Sequence, residues 1–146
     1  MNPFDIKSLV LAKHAQHVVL IHFPIALFIV GVGFDFVAQW KKQNSLATVA
    51  YYNLMIAGIS VFPVVTTGII AWCWQLEGAR LHGVLLLHFV LAVISTSLIL
   101  LVWWIHQRAR RPNRSLPTYR LPVELVGVLL VGATAHLGGF LSGVNG

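Results

Sequence analysis

The chain has 146 residues, 58% of them hydrophobic and only 10% charged, with a mean hydropathy of +0.81 and a formal charge of +6. This composition excludes a soluble globular domain and describes an integral membrane protein, with room for four spans of about 20 residues and no separate soluble domain. The positive charge does not read as nucleic-acid binding, because the basic residues flank apolar segments and no aromatic nucleic-acid motif accompanies them.

Residues 3–16 mix Phe4, Ile6, Leu9, Val10 and Leu11 with Lys7, Lys13 and His14, which predicts a short helix lying on the membrane interface. The first span is expected over residues 18–40, and its apolar core is too long for a cleavable signal peptide. The second is expected over 46–74, with Pro63 as a kink around which Thr66 and Thr67 bond back to the helix. The third covers 81–105 and the fourth 122–144; between them a basic loop carries Pro112 and Pro117. All four spans must be helical, since strands would leave open sheet edges in lipid. The fold class is therefore all-α, an integral membrane four-helix bundle, with residues 1–146 forming a single membrane domain.

Lys41 and Lys42 lie between the first two spans, and Arg108, Arg110, Arg111, Arg114 and Arg120 lie between the last two. The opposite side carries Lys7, Lys13 and Arg80. Positive residues in short loops are retained on the cytoplasmic side, so both termini are expected in the periplasm of a bacterial inner membrane. Trp40, Tyr51, Tyr52, Trp103, Trp104 and Tyr119 mark the cytoplasmic interface, and Trp72 and Trp74 the other. Asp35 sits in an apolar run near the cytoplasmic end, where it reads as a packing partner, a proton-handling group or a hydrated residue. Glu124 opens the fourth span and reads as structural; His106 reads as solvated.

Five of the seven histidines, His17, His22, His82, His88 and His136, gather at the periplasmic end. With a rise of 1.5 Å per residue, His22 is roughly 7 Å past His17, His88 roughly 9 Å past His82, and His136 roughly 12 Å before Val144. Three helices thus bring His22, His88 and His136 to one depth, each with small neighbours: Ala26, Ala92 and Gly132. Imidazole is costly in hydrocarbon and is the usual ligand of haem and transition metals, so a bound redox centre is expected. The competing explanation is that these histidines hydrogen-bond between helices and that the small residues serve close packing.

The segment from His17 to Leu27, with His17 and His22 followed by Phe23-Pro24-Ile25-Ala26-Leu27, resembles the opening of a bacterial family of small four-helix membrane proteins, domain of unknown function 2231. Asp35, Thr67-Gly68, the Arg80/His82/His88 region and His136-Leu137-Gly138-Gly139 extend the resemblance over nearly the whole chain. Val18 departs from the proline common in relatives, and Ala71 stands where many have an acidic residue, a role lost here or moved to Glu77. Some relatives are fused to Rieske iron–sulfur or other electron-transfer modules, and the resemblance therefore implies redox work.

These readings converge on a b-type cytochrome-like electron-transfer component rather than a stand-alone enzyme: no nucleophile has an adjacent base, and no phosphate-binding loop is present. The expected axial ligands of haem b come from His22, His88 and His136, with His17 and His82 as propionate partners or ligands of a second centre, and Arg80 pairing a propionate. Another transition metal such as copper is the narrower alternative, since Cys73 is the lone cysteine and the two methionines lie away from the histidines. The expected partners are the lipid bilayer, a membrane quinone or periplasmic electron carrier, and a larger respiratory or photosynthetic complex, in which the chain could instead serve as a non-catalytic scaffold subunit.

Overall fold

A computed structural model describes residues 15–113 and 115–142. It contains four helices: α1 over Ala15–Lys41, α2 over Asn44–Gln75, α3 over Gly83–Ala109 and α4 over Arg120–Leu141. Even the shortest, at 22 residues, extends about 33 Å at 1.5 Å per residue, enough to cross a hydrocarbon core of about 30 Å. All four are long and apolar enough to span a membrane. The expected interfacial helix at 3–16 lies outside the described residues, save that Ala15 and Gln16 open α1.

Short connections make neighbouring helices antiparallel. Between α1 and α2, Lys42 adopts φ 53° and the Gln43 N–H bonds the Ala38 carbonyl at 3.0 Å, a Schellman-type end that reverses the chain in two residues. The closest packing is within the pairs α1–α2 and α3–α4, and contacts of α2 with α3 and of α1 with α4 join the pairs into a four-helix bundle. The chain therefore consists of two hairpins, with α1 and α3 standing across the bundle from each other.

Lipid tails are as apolar as leucine, so helices gain little by hiding apolar surface from them and must associate through close backbone approach and polar contacts. The buried positions follow that rule: Ala38, Ala50 and Ala57 sit with Phe28, Leu54, Val61, Ile99, Val102 and Val131 between the helices. Phe36, Phe62, Leu125 and Leu129 point outward. Gly58 lets Trp103 lie against α2, since a Cβ there would stand 2.5 Å from the indole Cε3; Gly127 likewise admits Phe28, at 2.9 Å. Trp103 is thus a half-buried packing residue as well as part of an interfacial belt. Thr66 bonds the Phe62 carbonyl and Thr67 those of Pro63 and Val64, as the sequence predicts around Pro63.

The packing is not uniform along the bundle. Among the described residues, none at 16–23, 62–94 or 132–142 is buried, so the buried core runs from mid-bundle toward the arginine-rich end. At that end Arg110 stacks over Tyr51 at 4.3 Å and Arg108 over Trp104 at 5.1 Å.

Two sequence expectations are corrected here. His106 is not solvated: it is 3% exposed and faces Glu124 inside the bundle. Arg120 is not a loop charge but the first residue of α4, buried against α1. In both cases the long side chain finds a buried partner, which offsets the cost of leaving water.

Candidate functional site

At the histidine-rich end, each hairpin presents one imidazole toward its own partner helix. His17 of α1 lies against Gly68 of α2, its Cε1 3.1 Å from where a glycine Cβ would stand. His88 of α3 lies against Gly138 of α4, with the corresponding distance 3.2 Å. Both rings are half-buried, and His88 is near enough to His17 to act on it electrostatically.

The hydrogen bonds around His17 define its tautomer. Its Nδ1 is 3.1 Å from Thr67 Oγ1, and that hydroxyl is 3.0 Å from the carbonyls of Pro63 and Val64. A hydroxyl has one proton to give. Thr67 gives it to the backbone, so Nδ1–H of His17 donates to Thr67 Oγ1 and Nε2 keeps its lone pair. This is the orientation that an outer hydrogen bond imposes on a metal-binding histidine. His88 differs: its Nδ1 is buried and has no hydrogen-bond partner among the described residues. Two turns along α3 toward the core, Ser95 donates to Thr134, 2.8 Å away, and Thr134 in turn bonds the Leu130 carbonyl, which ties α3 to α4 beneath His88.

The other histidines of this end stand elsewhere. His22 is on the exposed side of α1 and bonds the Val18 carbonyl at 2.6 Å, and His136 is on the exposed side of α4. His82 is exposed just before α3, without a side-chain cap bond, and Arg80 is exposed in the same connection. The structure therefore brings together His17 and His88 but not His22, His88 and His136. Half-buried and each set against a glycine, His17 and His88 are imidazoles of the kind that can ligate a haem or a transition metal. Cys73 is exposed and belongs to no such set.

A second polar group fills the arginine-rich end, and sequence reasoning missed it as a unit. Arg120 Nε donates to Asp35 Oδ2 at 2.8 Å, while its other nitrogens reach Gln39 Oε1 at 3.0 Å and the Pro117 carbonyl at 3.5 Å. His106 Nε2 lies 2.8 Å from Glu124 Oε1, with Glu124 fully buried. One oxygen or nitrogen from each of Asp35, His106 and Glu124 falls within 4.8 Å of the other two. Beside them, Tyr51 donates to Gln107 Oε1 and joins α2 to α3. The signal was in the spacing: Asp35 and Gln39 share a face of α1, and Arg120 and Glu124 share a face of α4.

No curated protein and no solved structure matches the chain significantly. The family model described as a predicted membrane protein, DUF2231, matches residues 13–146, and this four-helix membrane protein belongs to that family.

Proposed function

We propose that the protein is a membrane-embedded electron-transfer subunit that holds a haem b between His17 and His88. The observation that carries this reading is the pairing of two inward imidazoles from opposite hairpins, each cushioned by a glycine. When bound, haem supplies one-electron transfer, and ligation by two histidines leaves no open coordination position for oxygen chemistry. In this reading Thr67, 3.1 Å from His17 Nδ1, holds the ring through that nitrogen and leaves Nε2 as the ligating atom. Gly68 and Gly138 give each ring room that a Cβ at either position would crowd, at 3.1 and 3.2 Å. Arg80 and His82, exposed at the same end, are the groups this reading assigns to the propionates. His22 and His136 become lipid-side residues in this reading, not axial ligands.

The proposed setting is a bacterial inner membrane with both termini and the His17–His88 layer on the periplasmic side, following the arginines between α3 and α4. A site at that depth suits exchange with a membrane quinone or a periplasmic electron carrier, alone or within a larger complex.

The test is a dithionite-reduced minus oxidised optical spectrum of the detergent-purified chain beside four single variants. A sharp b-type band that disappears in His17→Ala and in His88→Ala but survives in His22→Ala and His136→Ala is the expected result. A featureless spectrum from folded chain supplied with haem overturns the reading and leaves a scaffold subunit, to be recognised by loss of a partner complex on deletion.

A further inference from the structure

At the other end of the bundle, the charges of Asp35, Arg120, Glu124 and His106 have to be balanced away from water. Asp35 and Arg120 cancel one another through their 2.8 Å contact. Glu124, fully buried, is left with His106 as its one hydrogen-bonded partner among the described residues, and its second oxygen, Oε2, is buried with none. A single proton on the His106–Glu124 pair makes the group of four electrically neutral. A divalent cation in the same place would give the group and the ion together one net positive charge, and it would compete with the Arg120 guanidinium for Asp35. Buried charge without compensation is strongly disfavoured, so the cluster fits a proton and not a metal ion.

Access comes from the arginine-rich face. An open cleft of about 320 Å³ is lined by Asn44, Thr48, Tyr51, His106, Arg110 and Ser115. Ala47, Ala109 and Leu116 complete a lining of mixed character, and the cleft is large enough for several waters. His106 therefore borders this cleft while its Nε2 lies on a carboxylate inside the bundle. The other charged or titratable groups around the pair are Asp35 from α1, Tyr51 from α2, Arg110 at the end of α3 and Arg120 from α4.

We propose that His106 and Glu124 form a proton-exchange site opening to the arginine-rich side of the membrane. A proton from water in the cleft adds to His106 Nδ1, and the proton on Nε2 passes to Glu124 Oε1. The products are a neutral imidazole protonated on Nδ1 and a neutral carboxylic acid; no electron moves, and one proton has been taken up. The Arg120–Asp35 pair holds the α1–α4 contact beside it and keeps the surrounding charge fixed.

The experiment is pH-step infrared difference spectroscopy on the full chain in lipid nanodiscs, with a D₂O control. The wild type should show the carbonyl stretch of a protonated carboxylic acid that changes with pH and shifts in D₂O. That band should be lost in Glu124→Gln and retained in Glu77→Gln, whose residue lies exposed in the α2–α3 connection. His106→Gln, which keeps a polar side chain beside Glu124, should retain the band but slow its hydrogen–deuterium exchange by about 100-fold, as expected for loss of a positioned proton-transfer group. Should Glu124→Gln fail to fold, the wild-type band and the His106→Gln exchange rate decide the matter. A wild type without a pH-responsive carboxylic acid band overturns the proposal, as does a band unchanged in folded Glu124→Gln or exchange as fast in His106→Gln as in wild type. Stoichiometric Zn²⁺ binding by the wild type that Glu124→Gln abolishes overturns it too, in favour of a cation site.

Discussion

Arg120, the first residue of α4, reaches across to Asp35 on α1 and holds its carboxylate at 2.8 Å, with both side chains largely withdrawn from solvent. Few contacts join α1 to α4, so this pair is a substantial part of that seam. Removing one partner strands a buried charge: Asp35→Leu or Arg120→Met should each destabilise the bundle by about 3–5 kcal/mol. The double variant buries no charge and should recover most of that loss. A double-mutant cycle by reversible unfolding in mixed micelles measures both quantities, and a double variant as unstable as the sum of the singles would show that the pair is not coupled.

A second junction depends on the absence of a side chain. Gly58 lets the Trp103 indole lie on α2, and a Cβ at that position would stand 2.5 Å from the ring. Gly58→Ala forces the indole or the helix to move and should cost about 1–3 kcal/mol. Gly33 is the control, because nothing lies within 4 Å of a Cβ built there. Gly33→Ala should be neutral or stabilising by up to about 1 kcal/mol, as alanine is the better helix former. Thermal unfolding of the two variants side by side separates local crowding from helix propensity.

The four helices were legible because hydropathy and length are properties of the segment, whatever face it buries. Which face is buried was not legible, and the histidines show why. His17 and His22 are five residues apart, so they lie on different sides of α1, and only the position of α2 decides that His17 is the inward one. In lipid both sides of a span are apolar, so the usual amphipathic signal is weak. Depth could be read from the sequence, and it grouped His22, His88 and His136; facing could not. The buried cluster was open to a different reading, since the i, i+4 pairs Asp35/Gln39 and Arg120/Glu124 each mark one polar stripe on an otherwise apolar helix. Arg120 instead looked like part of the basic loop, because a sequence shows its proximity to Arg108, Arg110 and Arg111 and not to Asp35.

Thr67 offers a test of ligand orientation that leaves both histidines in place. Thr67→Val keeps the shape but removes the oxygen that accepts from His17 Nδ1, so the ring loses both its fixed direction and its fixed tautomer. Outer hydrogen bonds of this kind are worth about 10–100-fold in affinity at metal sites. Under the proposed function, Thr67→Val should weaken haem binding by about that factor in a titration of the apo-chain, and Thr67→Ser should restore it. Equal affinities for Val and Ser variants would remove Thr67 from the site.

The proposed orientation has its own readout, because the two connections that bear on it are exposed. Glu77 lies in the α2–α3 connection at the histidine-rich end, and Asn113 lies beyond α3 at the arginine-rich end. In a Cys73→Ser background, Glu77→Cys and Asn113→Cys each give a single thiol at one face of the bundle. Arginines in short loops resist translocation, so the Asn113→Cys thiol should be shielded from a membrane-impermeant maleimide in intact spheroplasts and labelled only after lysis. The Glu77→Cys thiol should react before lysis. The reverse pattern would turn the bundle over, putting the His17–His88 layer on the cytoplasmic side and the cleft beside His106 on the periplasmic side. The proton-exchange chemistry at Glu124 would stand unchanged, since it depends on burial and not on which compartment the cleft meets.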